Sequence, residues 1–413
     1  MVGIKDVVVW GTECTLDVML KLDQEQFKDI LTIFMTEGIN GEYKSLFEGL
    51  LNSGLKRDEE IKGIDQQILM SLMRYSYEVV KEGSEQRREF IGGSPCISAY
   101  ASKMLANGHS SFPDIFYVGS LPSTVQSYIE IMGDGFKEFF KHSVKNEYCP
   151  ITLSIEVGTY KLMLANSKGR NLSELDKEKY IKAVSNLMNE YNGNRVMAFG
   201  GLNKGSAEEY LKLFSEIMAN VPGAKLFLGT NSFSRQNEEQ IRKMYKLLET
   251  ADIISLNDAE LTDVAKAVLH RDERHIDETN ISLSQKLRYI LPSKLKICHS
   301  AEGAIMDAND ESRRMNGNCD FSRILQFCTD AASYSYAYGY NPTHIEAIVY
   351  SNEIISRQRE GFYIRFIMPS EMLSEGISSA IAPKIEEGKG TLTGIGAIFD
   401  GYLLSCLLSK HLF

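Results

Sequence analysis

The segment Thr391-Leu392-Thr393-Gly394-Ile395-Gly396-Ala397-Ile398-Phe399-Asp400-Gly401 sets two glycines one residue apart directly before a strongly apolar run. Glycine lets the chain turn tightly and lets backbone N–H groups approach a ligand. The N-terminus of a helix favours negative charge. The segment therefore reads either as a cradle for a phosphate or oxyanion or as an ordinary glycine turn entering a buried helix. The sequence before it shows which architecture it completes. From about residue 180 helical and strand patterns alternate: helix 180–191, strand Arg195–Phe199, a helix opening on Ser206-Ala207-Glu208-Glu209, strand Lys225–Leu228, helix 238–249 and strand Asp252–Leu256. A helix from Asp258, a helix 283–291 and a strand Leu295–His299 follow. Strands alternating with helices make βαβ units and a mainly parallel sheet covered on both faces.

The first half supports the same class. Asp6-Val7-Val8-Val9-Trp10 is apolar on both faces and ends at Gly11, as a buried strand of a parallel sheet does. Helical faces follow at 24–36 (Phe27, Ile30, Leu31, Phe34) and at 60–81 (Ile61, Ile64, Ile68, Leu72, Val79), with Lys56–Glu60 between them reading as a solvated turn. Gly92-Gly93-Ser94-Pro95 leads into a helix of small residues. Ile115–Gly119 reads as a strand and 151–165 as a half-exposed strand pair.

The chain has 413 residues, 43% apolar and 24% charged, with 45 Lys and Arg against 55 Asp and Glu, so one large domain or several are possible. The net charge of −10 argues against a nucleic-acid partner, which needs a basic footprint, and against anionic membrane surfaces. No apolar run approaches the roughly 18 residues that span a bilayer, and Met1–Asp6 lacks the apolar core of a secretion signal. Seven scattered cysteines without a CxxC read as reduced thiols, which places the protein in the cytoplasm by expectation. The seven histidines show no metal-ligand spacing.

Two further segments carry chemistry. Ser255-Leu256-Asn257-Asp258-Ala259-Glu260-Leu261 follows a strand, and ligands of open α/β sheets bind beyond the strands' carboxyl ends. Asn257 and Glu260 share a face of the first helical turn, suited to orient Mg2+ through water or simply to cap the helix. Gly92-Gly93-Ser94 and Gly11-Thr12-Glu13-Cys14-Thr15-Leu16-Asp17 both follow strand-like runs. There a carboxylate such as Asp17 could accept hydrogen bonds from sugar hydroxyls, or stand as a solvated acid beside a turn.

In order and spacing these segments resemble the ribokinase-like superfamily, in particular its ADP-dependent glucokinase/phosphofructokinase branch. Asp17 stands where that family has its sugar-binding Asp, and Gly92-Gly93-Ser94 where it has GGN. Asn257-Asp258-Ala259-Glu260 matches its NxxE motif, and Gly394-Ile395-Gly396-Ala397 its GxGD. The approach from Ile381-Ala382-Pro383-Lys384 to Thr391 is also similar. The resemblance implies a ribokinase-like three-layer α/β/α domain over 1–413 with a small β lid from segments near 12–30, 84–96 and 150–170. It implies phosphoryl transfer from ADP to a hydroxyl of a sugar or sugar phosphate. Glu13, Asp17, Gly92, Gly93 and Ser94 would hold the sugar, Gly394, Ile395, Gly396 and Ala397 the transferring phosphate, and Asn257 and Glu260 Mg2+ through water.

The departures are specific. The family's proton-accepting Asp falls at Ala397, its GGN Asn at Ser94, an Asn near position 13 at Glu13, and its HxE motif near Phe227-Leu228-Gly229, where neither acid nor histidine stands. Asp400 lies one turn beyond Ala397. Loss of a general base costs on the order of 10²–10⁴ in rate. The resemblance thus implies a weak kinase or, as the alternative, a non-catalytic protein that binds nucleotide or sugar in a regulatory or scaffolding role. His299 reads as a packed histidine or a nucleotide-side residue. Tyr334–Tyr340 reads as helix packing, and Arg271–Arg274 and Arg313-Arg314 as solvated charge.

Overall fold

A computed structural model describes residues 5–11, 14–36, 42–53, 58–62, 64–80, 86–107, 109–122, 134–146, 150–158, 160–166, 176–202, 207–230, 237–269, 282–290, 295–309, 320–354, 377–383, 385 and 394–409. In chain order the strands are β1 (Val7–Gly11), β2 (Thr15–Lys21), β3 (Asp58–Lys62), β4 (Arg87–Gly92), β5 (Asp114–Tyr117), β6 (Ser120–Pro122), β7 (Val144–Asn146) and β8 (Ile151–Val157). They continue as β9 (Tyr160–Ala165), β10 (Arg195–Phe199), β11 (Lys225–Gly229), β12 (Ile253–Asn257), β13 (Leu295–Ser300), β14 (Gly303–Ala308) and β15 (Ile377–Ile381).

Eight strands form the main sheet in the order β15-β14-β13-β12-β11-β10-β1-β5. From β5 to β13 all neighbours are parallel, and β14 and β15 extend that edge antiparallel. Burial on both faces explains the apolar strand sequences. In β1, Val7 and Val9 enter one core while Val8 and Trp10 enter the other. The first core lies under helices Lys177–Asn189, Ala207–Asn220, Glu238–Leu248, Asp258–Leu269 and Leu283–Ile290, and the second under Ser94–Ala106, Phe321–Tyr338 and Ile395–Leu408. The result is three layers, α/β/α. Helix Glu238–Leu248 shows how sequence makes a surface helix. Ile241, Met244, Leu247 and Leu248 face inward, Asn237 and Gln240 close a capping box, and the pairs Glu238–Arg242 and Glu239–Lys243 lie on its outer side.

A second sheet, β3-β9-β8-β2-β4, has its own core against helices Gln24–Thr36, Glu42–Ser53 and Gln66–Val79. Val18 and Leu20 of β2 and Leu153 and Ile155 of β8 face those helices. The charged stretch expected as a solvated turn is instead largely strand β3, paired parallel with β9. The helix expected from residue 60 starts at Gln66, capped by Asp65. Charge on β3 fits an edge strand, which needs polar groups to discourage further pairing. Strand β8, expected half exposed, is buried along its whole length, because β2 and β9 flank it and its second face is also covered.

Helix Ile395–Leu408 is buried from Phe399 to Leu408 on all sides, which accounts for its largely apolar sequence, with Asp400 and Ser405 as buried polar exceptions. Its contact with helix Ser94–Ala106 is built from small residues. Ser98 Oγ donates to Ala397 O at 2.7 Å and Ser102 Oγ to Gly401 O at 2.8 Å. A Cβ on Gly401 would lie 2.3 Å from the backbone oxygen of Ser98. Gly401→Ala should therefore cost about 1–3 kcal/mol through forced separation of the helices. Gly49→Ala, on an open helix face with nothing within 4 Å, should be neutral or stabilising. Urea midpoints of the two variants check this.

Candidate functional site

The glycine segments are positioned by the ends of two helices. Among the described residues many helices begin on a side-chain cap, with Asp23, Asp65, Asp176, Asn237, Asn257, Ser282, Asp320 and Thr343 in that place. Helices Ser94–Ala106 and Ile395–Leu408 begin instead on Gly93 (φ 89°) and Gly394 (φ 85°), neither of which offers a capping side chain. Both glycines are in the left-handed region that other residues resist. The first-turn N–H groups of Ile395, Gly396 and Ala397 thus have no side-chain cap, the arrangement that suits an anion.

The three sequence motifs meet around that turn. On one side Gly394 sits against Ile97, where a Cβ would be 3.0 Å from Ile97 Cδ1. Ser98 ties the turn after Gly93 to Ala397. On the other side a Cβ at Gly396 would be 2.9 Å from His299 Cε1, and His299 pairs with Asn257 across β13 and β12. Asp17 lies at the opposite end of the Gly92-Gly93-Ser94 turn. It is buried, accepts from Thr15 Oγ1 at 2.5 Å, and lies so close to Gly92 that a Cβ there would be 1.9 Å from Asp17 Oδ2. Gly92 is therefore required by the carboxylate itself. Glu13, Thr391–Thr393, Lys384, Arg271–Arg274, Arg313-Arg314 and Ser206 lie outside the described residues.

Asn257 and Glu260 form a reciprocal cap. Asn257 N and Thr230 Oγ1 donate to Glu260 Oε2 at 2.9 and 2.6 Å, Asn257 Nδ2 donates to Oε1 at 2.9 Å, and Glu260 N donates to Asn257 Oδ1 at 2.8 Å. Burial pushes the Glu260 carboxyl up to about 7, against the pull of Thr230 and the Asn257 amide. With both oxygens already accepting, the pair suits outer contacts to a hydrated cation better than direct ligation. Among the described residues no group of three or more His, Cys, Asp or Glu side chains could hold a metal.

Asp400 does not stand in for a base at position 397. Its carboxyl turns towards β11, where a Cβ on Gly229 would be 2.9 Å from Asp400 Oδ2. Burial pushes it up to about 8, Glu260 adds to the rise, and the nearby Ser255 hydroxyl opposes it. Ser255 Oγ lies outside hydrogen-bond geometry, so it and Asp400 Oδ1 have no hydrogen-bond partner. Sequence reasoning missed this meeting of Asp400, Gly229, Ser255 and Glu260. The signal available was negative: a glycine at the end of an otherwise bulky strand. His299 packs on Phe399 with ring centroids 5.1 Å apart, so packing and proximity to the anion turn coexist. Tyr334, Tyr338, Tyr340 and Tyr350 form one ring cluster, in which Tyr338 and Tyr340 are exposed.

No protein-family model matches the sequence, and no curated protein matches it. Solved structures do. An ADP-dependent kinase in complex with fructose-6-phosphate and ADPβS aligns at 11% identity over 98% of this chain and 94% of that one, with a TM-score of 0.68. The last common ancestor of ADP-dependent phosphofructokinases from Methanosarcinales aligns at 10% identity over 98% and 94%, TM-score 0.63. A hypothetical ADP-dependent phosphofructokinase from Pyrococcus horikoshii OT3 aligns at 12% identity over 98% of each chain, TM-score 0.60. The chain thus has the ribokinase-like α/β fold. The three ADP-dependent kinase structures are similar to it in fold along nearly the full length of both chains. No helix among the described residues is long and apolar enough to cross a membrane.

Burial pulls His299 down from 6.5 to about 4. Between those values the unfolded chain binds the proton that the folded chain refuses, so stability is full above pH about 6.5 and falls as pH drops towards 4. In His299→Gln the thermal midpoint should decline less over that window than in the parent, as calorimetry at pH 4.5, 5.5 and 7 would show.

Proposed function

We propose that this chain binds ADP and a sugar or sugar phosphate between its main sheet and its five-stranded second sheet and transfers a phosphoryl group to the sugar slowly. The observation that carries the proposal is the convergence of the Gly93, Asn257 and Gly394 segments on one helix start. Asp17, Gly92, Gly93 and Ser94, with Glu13, would hold the acceptor's hydroxyls. The Gly394–Ala397 amides would face the moving phosphoryl group, whose transfer depends on positioning and charge stabilisation. Asn257 and Glu260 would hold Mg2+ through water, and the ion would neutralise phosphate charge when bound. The second sheet would act as the lid, excluding water when it closes. The partners are small molecules, and a cytoplasmic setting goes with this reading.

A second reading is favoured by one observation. Position 397 is alanine, and the nearest acid along the helix, Asp400, is turned towards Gly229. A protein with this fold, an uncapped anion turn and no acid at position 397 can serve as a binding or regulatory module.

A coupled assay with ADP, Mg2+ and a panel of sugars and sugar phosphates, with the parent beside Ala397→Asp, separates the two. The kinase reading expects measurable turnover in the parent and a rise on the order of 10²–10⁴ in the variant. Turnover in neither, with ADP still bound in calorimetry, leaves the binding module. No ADP and no sugar bound removes both. In either reading Asp17→Asn should weaken sugar binding about tenfold or more while leaving ADP affinity unchanged, since a buried carboxylate contact contributes about 1.5–3 kcal/mol.

A further inference from the structure

Helix His344–Glu353 buries one side and leaves the other bare. Its start is well made: Thr343 and Glu346 close a capping box, and Thr343 N and Oγ1 both donate to Glu346 Oε2 at 2.8 Å. Inward, Ala347 joins the core shared with helix Phe321–Tyr338, and the His344 ring lies against Phe112 and Phe327 with centroids 5.3 and 5.5 Å away. Outward, Ile345 is 72% exposed, Ile348 41% and Val349 49%. Residues three and four apart share a helix face, so these three make one apolar stripe. Tyr338 and Tyr340, 47% and 53% exposed, adjoin the same helix, where Tyr338 packs on Tyr350 with centroids 6.0 Å apart.

A solvated helix turns its polar side outward, and this one does the reverse. Among the described residues, five of the seven large apolar side chains that stand exposed are gathered here, while Met70 and Tyr160 lie on elements of the second sheet's unit. At these exposures the five side chains present roughly 500 Å² of surface per copy, at the upper end of what a monomer tolerates in one patch. Two such faces meeting would bury about 1,000 Å², which reaches the lower bound for a specific interface.

The charges decide the occupant. From Tyr338 to Ile354 the sequence has no Lys or Arg, so an anionic membrane or a nucleic acid finds nothing to hold. The stripe has no charged side chain, and Glu346 is engaged in its own helix cap. In a two-fold pair the same surface of both copies meets. On a body of net charge −10, that is least costly where the face carries no charge of its own. A centre of aromatic and aliphatic side chains without charges is also the composition of interface cores.

We propose that the Ile345-Ile348-Val349 stripe, with Tyr338 and Tyr340, is the contact face of a two-fold dimer of this chain. The pairing is apolar and works against the repulsion of two acidic bodies, so salt strengthens it by screening that repulsion.

The test is sedimentation velocity and light scattering on the full chain across the micromolar range, at low and at high salt. The parent should pass from one chain to two as concentration rises, and at a lower concentration in high salt. Ile345→Glu and Val349→Glu should each weaken association at least about thirtyfold, since each copy then meets its own charge across the axis. Met70→Glu, at an exposed apolar position elsewhere, should leave it unchanged. Thermal unfolding verifies that each variant folds, and Val349→Glu carries the test if Ile345→Glu does not. A parent that stays monomeric throughout overturns the proposal and leaves the face to another part of the chain or to a foreign protein. A dimer indifferent to both stripe variants, or one that salt dissociates, overturns it as well.

Discussion

The close approach of helices Ser94–Ala106 and Ile395–Leu408 is the constraint on which the candidate site depends. Each helix begins on a left-handed glycine. The two are held together by serine hydroxyls donating to backbone oxygens and by a glycine that admits no Cβ. Bulkier residues would move the two helix starts apart, and with them the turn next to Asp17 and the turn next to His299. Side-chain hydroxyls bonded to carbonyls across a small-residue contact are individually modest. Here they act at the position where a shift of an ångström would separate the Gly394 turn from the Gly93 turn and Asp17.

Around this contact lie two helix starts opened by glycines. Position 397 carries a methyl group, and position 229 carries none. One carboxyl, Asp400, lies under the first turn and points away from it towards the strand end. Burial raises both Asp400 and Glu260. Under the proposed function, a body of net charge −10 would meet phosphate with backbone amides, which do not depend on the overall charge.

Much of the fold was legible because burial writes itself into the sequence. Val7 to Trp10 is apolar on both faces since both faces meet a core, and Ile241, Met244, Leu247 and Leu248 recur at helical spacing since one face does. The antiparallel edge strands β14 and β15 were not legible: their pairing joins segments seventy to eighty residues apart, such as Gly303 with Ile381, and nothing local records it. Strand β3 was hidden by its charges, which an edge position tolerates. At the site, glycines announced the turns because backbone conformation demands them. The meeting of Asp400 with Gly229 and Ser255 was invisible, since it exists only once helix Ile395–Leu408 crosses beneath β11 and β12.

The pairings within the two sheets also bear on how the molecule assembles. In the second sheet, β2 lies parallel to β8, joining Leu16 to Ile151, and in the main sheet β1 lies between β10 and β5, joining Val7 to Arg195 and Asp114. The first twenty or so residues therefore supply a strand to each sheet and must wait for partners from some seventy to nearly two hundred residues away. Such long-range closure slows folding. It also means that neither sheet can be cut out as one continuous piece of chain: the second sheet is interleaved with the main one, and the two must be completed together.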